Sequence, residues 1–379
     1  MKLKRNNPCW CESGERYKDC HLNREFENPP SLRELSEKNK KSFGKKDCLV
    51  PKQIKTQCNG KIVQAHTVSE PNLKIISRNG HVYHFMADFI QIHKNKRQIK
   101  TEPLGIKKAS TFSGFCQYHD NYIFSPIEKQ HFIASNEQCF LLGYRAIARE
   151  LYLKKASLNV IENSLMQLDR GKSLEAQIYI QRLLKGQEKA TLAGIRDMKK
   201  YKEIYDAVLL KKDFSGVRTY IIKLNRPPDI MCLGAIFPNY DFNGIELQNL
   251  YDLDNTPDII AFAALTDGTN GYVIFTWLKD CDSSCISLIE SLIKINNDML
   301  PNALARFFFE YCENIYFRPY WWDNLANIAR DKLIKRFFSG IEPPNQYQSS
   351  DCLKEDGLNI VNWTVISRKI ISLDVFSYE

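Results

Sequence analysis

Two groups of thiols and imidazoles near the start of this sequence have the types and spacing of metal ligands. The first is Cys9-x-Cys11 followed, after eight residues, by Cys20-His21. Three thiolates and one imidazole make a Cys3His set, a closed tetrahedral shell of the structural zinc type. Ser13-Gly14 supplies a turn that folds the chain back on an ion, and the neighbouring Arg16 and Lys18 favour thiolate forms. The second group is Cys48, Cys58, His66 and Cys116-x2-His119-Asp120. Cys116 and His119 fall one turn apart if a helix opens after Gly114, and the helix dipole there also favours a thiolate. Two ligand sets remain open. Cys48, Cys58, Cys116 and His119 leave His66 free, whereas Cys58, His66, Cys116 and His119 make a Cys2His2 shell with His66 as a ligand.

Residues 5–21 read Arg-Asn-Asn-Pro-Cys-Trp-Cys-Glu-Ser-Gly-Glu-Arg-Tyr-Lys-Asp-Cys-His. The Asn-Pro lead, the Ser-Gly turn, Tyr17 and the Cys-His end resemble the SEC-C zinc-binding motif, named for the C-terminus of the SecA translocation ATPase. Glu12 stands where that family usually has Gly. The resemblance implies zinc on Cys9, Cys11, Cys20 and His21, and an acidic protein partner recruited through residues 9–21. It does not imply a motor ATPase, because no G-x-x-x-x-G-K-[ST] loop is present.

Residues 48–125 resemble the treble-clef HNH nucleases in the order of their parts: a zinc knuckle, a strand ending in His, then a helix opening with Cys-x2-His-Asp. That resemblance implies His66 as the general base and Asp120 as the ligand of a catalytic Mg²⁺ or Mn²⁺. Three departures stand against it. The usual central Asn has no counterpart before Cys116, nine residues separate Cys48 from Cys58, and about fifty separate the two halves of the site.

Bulk composition places both groups in one distinctive region. All seven histidines lie in residues 1–131, which carry 24 Lys+Arg against 13 Asp+Glu, while the remainder carries 29 against 31. The basic character of the chain therefore belongs to its front third. Lys94, Lys96, Arg97, Lys100, Lys107 and Lys108, with the lysines of residues 38–46, could neutralise nucleic-acid phosphates. Hydrophobic content of 44% excludes a disordered chain. No apolar stretch approaches the ~20 residues of a membrane span, and no signal-peptide core follows Met1, so a cytoplasmic location is expected. Twelve cysteines in such a chain point to metal binding and burial, not to disulfides.

The elements that must position these residues divide at about 131. The expected organisation is a SEC-C-like motif at 1–24, a charged linker at 25–47 with one short helix after Ser31, and a second Cys/His module at 48–131. An α+β domain of unassigned role follows at 132–379. Helical periodicity runs through 136–170 and 174–212. Strand-like runs follow at Val217–Leu224, Ile230–Phe237, Ile259–Leu265 and Gly271–Leu278, the last two joined by Asp267-Gly268 turn chemistry. Helices then strands without βαβ alternation give an α+β class with an antiparallel sheet. Cys139, Cys232, Cys312 and Cys352 suit buried positions, and Cys281 and Cys285 suit a helix start. The expected protein is a zinc-binding one with two ions, whose basic front region binds nucleic acid or ribonucleoprotein. Its composition suits a bacterial mobile-element or phage-defence protein. The alternatives are the HNH-like nuclease and the adaptor for an acidic partner.

Overall fold

Serine side chains start four helices in the described residues, 4–85, 101–339 and 349–371 of the computed structural model. After a four-residue turn, α1 (Tyr17–Cys20), Ser31 caps α2 (Leu32–Phe43) and Ser69 caps α3 (Glu70–Ile76). Cys116 is the N-cap residue of α4 (Gln117–Glu128). Ser135 opens the 32-residue α5 (Asn136–Gln167) with a full capping box closed by Gln138, and Ser173 caps the 38-residue α6 (Leu174–Lys211). Each serine oxygen accepts from a main-chain N–H that the helix itself leaves unpaired. The remaining helices are α7 (Asp282–Ile293), α8 (Leu300–Tyr311), α9 (Pro319–Asp323) and α10 (Asn327–Ser339).

The strands are β1 (Ile62–His66), β2 (His81–Phe85), β3 (Thr101–Gly105), β4 (Thr111–Cys116), β5 (Val217–Leu224), β6 (Ile230–Ile236), β7 (Ile260–Thr266), β8 (Gly271–Leu278), β9 (Ile315–Phe317) and β10 (Val365–Ile371). Eight of them form one antiparallel sheet in the order β10-β5-β8-β7-β6-β9-β2-β3. The fold is α+β. At the β7–β8 turn Asp267 Oδ1 accepts from the main-chain N–H of Thr269 and Asn270, and Gly268 takes φ +103°.

The central strands β7 and β8 are buried on both faces, which explains their unbroken apolar runs. Ala261, Ala263 and Leu265 pack with Leu73, Ile76 and Leu142 on one side. Ile260, Phe262 and Ala264 pack with Leu288, Leu304 and Phe307 on the other. Alternation of side chains along a strand produces this division. Gly143 lets α5 approach closely, because a Cβ there would lie 2.8 Å from Thr276 Cγ2 of β8. Cys139, Cys232, Cys281, Cys285, Cys312 and Cys352 are all buried and free. Phe307, Phe308 and Phe309 are core residues.

Two segments expected to lie outside the body of the fold make contacts with it. The β2–β3 hairpin, placed in a separate 48–131 module by the sequence, extends the main sheet through Tyr83 opposite Phe317 of β9. The 25–47 linker carries the twelve-residue α2, which lies against α5: Lys38 bonds Gln167, and the Tyr152 hydroxyl donates to the carbonyls of Phe43 and Lys45. Both segments are polar outside yet have one face committed to the body.

Candidate metal centres

The first ligand group is assembled by a short return of the chain. Cys9 N–H donates to Glu15 O at 2.8 Å, and Tyr17 N–H donates to Asn7 O at 2.9 Å, which brings Cys9 and Cys11 over the end of α1. The turn needs left-handed backbone at Glu12 (φ 61°) and Gly14 (φ 82°). His21 Nδ1 lies 3.3 Å from Cys9 Sγ and 3.0 Å from Cys20 Sγ, and Cys11 Sγ lies 3.5 Å from Cys20 Sγ. A tetrahedral zinc with bonds of about 2.0–2.3 Å spaces its donors by roughly 3.5–3.8 Å, so the set fits that ion with small adjustment. Burial and the adjacent sulfurs push the Cys9 thiol up to about 12. Three sulfurs this close become thiolates together only when a cation balances them.

A family model, the SEC-C motif, matches residues 5–23. Residues 5–23 are a SEC-C motif, a zinc-binding element. No curated protein and no solved structure matches the chain. The left-handed φ at Glu12 accounts for the glycine usual at that position of the motif.

The SEC-C motif is held to the body by a residue that the sequence did not single out. His21 points Nδ1 at the sulfurs and sets Nε2 2.8 Å from Asp169 Oδ2, at the turn between α5 and α6. Asp169 is fully buried, and it also accepts from Arg24 Nε at 2.7 Å and Gln181 Nε2 at 2.8 Å. Burial alone would raise its pKa, but the donors from His21, Arg24 and Gln181 outweigh it and hold the carboxyl below the usual range. A carboxylate on the far nitrogen of a ligating imidazole fixes its tautomer and raises its basicity. Asp169 lies 148 residues from His21, so no local pattern could have shown the pair.

The second group gathers on the β1–β4 ribbon and the start of α4. Cys48, Cys58, Cys116 and His119 bring their donor atoms within 4.8 Å of one another. The Sγ atoms of Cys48, Cys58 and Cys116 lie 3.6, 3.4 and 3.2 Å from His119 Nδ1. A 3-10 turn, Lys52–Gln57, fills the long interval between Cys48 and Cys58. Burial drives the Cys48 thiol up to about 12, whereas main-chain donors of His119 and Asn59 outweigh burial at Cys116 and lower it. The donor set is Cys3His again and fits zinc. Here, however, His119 Nε2 is buried without a hydrogen-bond partner among the described residues.

His66 lies outside this donor group. It ends β1 opposite Thr111, and its Nε2 sits 3.1 Å from Ile106 O. The Cys2His2 alternative is therefore replaced by a set that uses Cys48 in its stead. On α4, burial raises the Asp120 carboxyl to about 6, and the Arg145 guanidinium offsets only part of that rise. Its Oδ1 is 3.8 Å from Nη2 of the buried Arg145, which also pairs with Glu128 at 2.6 Å. The carboxylate thus already faces a cation of the protein. Of the basic residues, Lys107 and Lys108 are exposed in the turn after β3. Lys94, Lys96, Arg97 and Lys100 lie outside the described residues. Among those described, no helix is long and apolar enough to cross a membrane.

Proposed function

We propose that this protein is a zinc-stapled binder of nucleic acid or ribonucleoprotein, with the two Cys3His centres bracing a basic front region. The observation that supports this most directly is where the positive charge stands. Lys40, Lys41, Lys45, Lys46, Lys52, Lys61, Lys107 and Lys108 are exposed in the same front third that carries the two clusters. Exposed lysines on a fixed frame suit phosphate contacts, which carry affinity but not sequence preference. The test is binding of labelled RNA and DNA duplexes and single strands across a salt series. Affinity should fall steeply with salt, by a slope of roughly 0.9 per phosphate neutralised on duplex DNA, and Lys107→Gln/Lys108→Gln should flatten it. Salt-independent binding, or none, refutes the reading.

A second reading, hydrolysis at His66, is favoured by one contact. A carbonyl can only accept, so the bond to Ile106 O puts the proton on Nε2 and leaves Nδ1 as the acceptor a general base requires. The pairing of Asp120 with Arg145 gives no matching support for Mg²⁺ or Mn²⁺ at that carboxylate. Cleavage of DNA or RNA with either ion, abolished in His66→Ala, supports this reading, and equal activity of the variant removes it. Recruitment of an acidic protein through residues 9–21 is the third use open to the SEC-C motif, whose docked side is the His21–Asp169 face.

A further inference from the structure

A cleft of about 630 Å³ opens between the second metal centre and the α5–α6 hairpin. That volume lies within the roughly 300–1,000 Å³ of small-molecule sites. Five lysines line it: Lys52 and Lys55 from the turn before Cys58, Lys155 from α5, and Lys199 and Lys202 from α6. The acids of the lining are Asp47, Glu203 and Asp206. Two of the lysines are committed, Lys55 to Asp47 at 3.2 Å and the buried Lys202 to Asp206 and the Tyr144 hydroxyl. Lys52, Lys155 and Lys199 have no ion-pair partner among the described residues, and the floor is apolar, from the buried Val50 and Leu151, with the exposed Leu210 at its rim.

Lysines on an ordinary solvated face diverge into water. Here Lys155 is half-buried, and its pKa is lowered first by burial and then by the ammonium groups of Lys199, Lys45 and Lys55. Asp47 offsets only part of this crowding. Like charges gathered over a concave, partly apolar surface raise the local concentration of anions, and a bound anion relieves their repulsion.

We propose that this cleft binds a phosphate-bearing ligand of nucleotide size, with Lys155 and Lys199 on the phosphates and the apolar floor under the base or sugar. Of the exposed front-region lysines named above, Lys52 also lines the cleft, but Lys155 and Lys199 are not among them, so variants at those two test the site apart from nucleic-acid binding there.

Fluorescence polarisation of the full-length, zinc-loaded chain tests it with two probes, N-methylanthraniloyl-ATP and a fluorescein-labelled 12-nucleotide RNA. The expected result is saturable binding of the ATP analogue, competed by tripolyphosphate and weakened at least tenfold in Lys155→Gln/Lys199→Gln. Zinc content and circular dichroism should be unchanged, and Lys107→Gln/Lys108→Gln should bind the ATP analogue as the wild type does. If RNA alone binds, and the cleft variant abolishes that binding, the phosphates are those of a strand entering the cleft. Should the double variant fail to fold, Lys199→Gln carries the test, because that side chain is exposed. Absence of saturable binding of either probe, or unchanged affinity in the cleft variants, overturns the proposal.

Discussion

Replacing Asp169 by Asn should loosen zinc at the first centre and leave the second untouched. The carboxylate accepts three hydrogen bonds, from His21 and Gln181 on Oδ2 and from Arg24 on Oδ1. An amide of the same shape has one acceptor and one donor, so at least one of those three donors must face an NH2 group. Loss of such an outer-shell partner typically costs 10–100-fold in metal affinity, or about 1.4–2.7 kcal/mol. Arg24, largely buried, keeps its bond to the Met166 carbonyl but loses its charged partner whichever way the amide faces. Removing one partner of a buried pair adds a stability cost of about 3–5 kcal/mol. The assay is zinc release to a chromophoric chelator, which should show two phases in the wild type. Asp169→Asn should speed one phase by at least tenfold, and Cys116→Ser should remove the other. The folded pKa of Asp169 is depressed, so its contribution is complete above its unfolded value of about 4. It is lost as pH falls through the folded value, and zinc at the first centre should share that acid sensitivity. A release profile in Asp169→Asn equal to that of the wild type, or equal acceleration of both phases, would refute the reasoning.

Other outcomes follow from individual residues. His66→Ala should retain two zinc ions per chain by elemental analysis, because His66 is outside the donor group, whereas Cys116→Ser should retain one. Asp120→Asn should raise stability at pH 7.5 by about 2 kcal/mol, since burial holds the acid near 6 and its ionisation works against folding. That gain should shrink between pH 6 and 4 and vanish below, where the wild-type carboxyl is protonated in both states; an unchanged Tm at pH 7.5 would count against the burial argument. Glu12→Gly should stabilise the first centre by about 1 kcal/mol in denaturant melts, because the position is left-handed. Gly143→Ala should destabilise by about 1–3 kcal/mol, because its Cβ would press on Thr276 beneath α5.

Local chemistry was legible in the sequence, and long-range docking was not. Cys9, Cys11, Cys20 and His21 lie within thirteen residues, so their spacing alone defined the centre. The strand and helix runs from Asn136 to Leu278 were readable from period and turn residues, with ends within a few residues of those observed. The second centre left two ligand sets open, because nothing in the order of residues shows that the Lys52–Gln57 turn carries Cys48 to the cluster and leaves His66 beside Ile106. The sheet that joins β2 to β9 was hidden for a related reason. Its pairing of Tyr83 with Phe317 spans most of the chain, and no local pattern announces such a partner.

The distance between His21 and Asp169 also sets an order of events during synthesis. The four ligands of the first centre leave the ribosome together and can close on zinc as a local unit. The carboxylate that fixes the imidazole is made 148 residues later, on the order of 10 s at roughly 5–20 residues per second. A motif that closes on zinc at that stage stays undocked for the interval, with the Nε2 side of His21 open to water. Zinc supply and chelation should matter most to this protein while it is still attached to the ribosome.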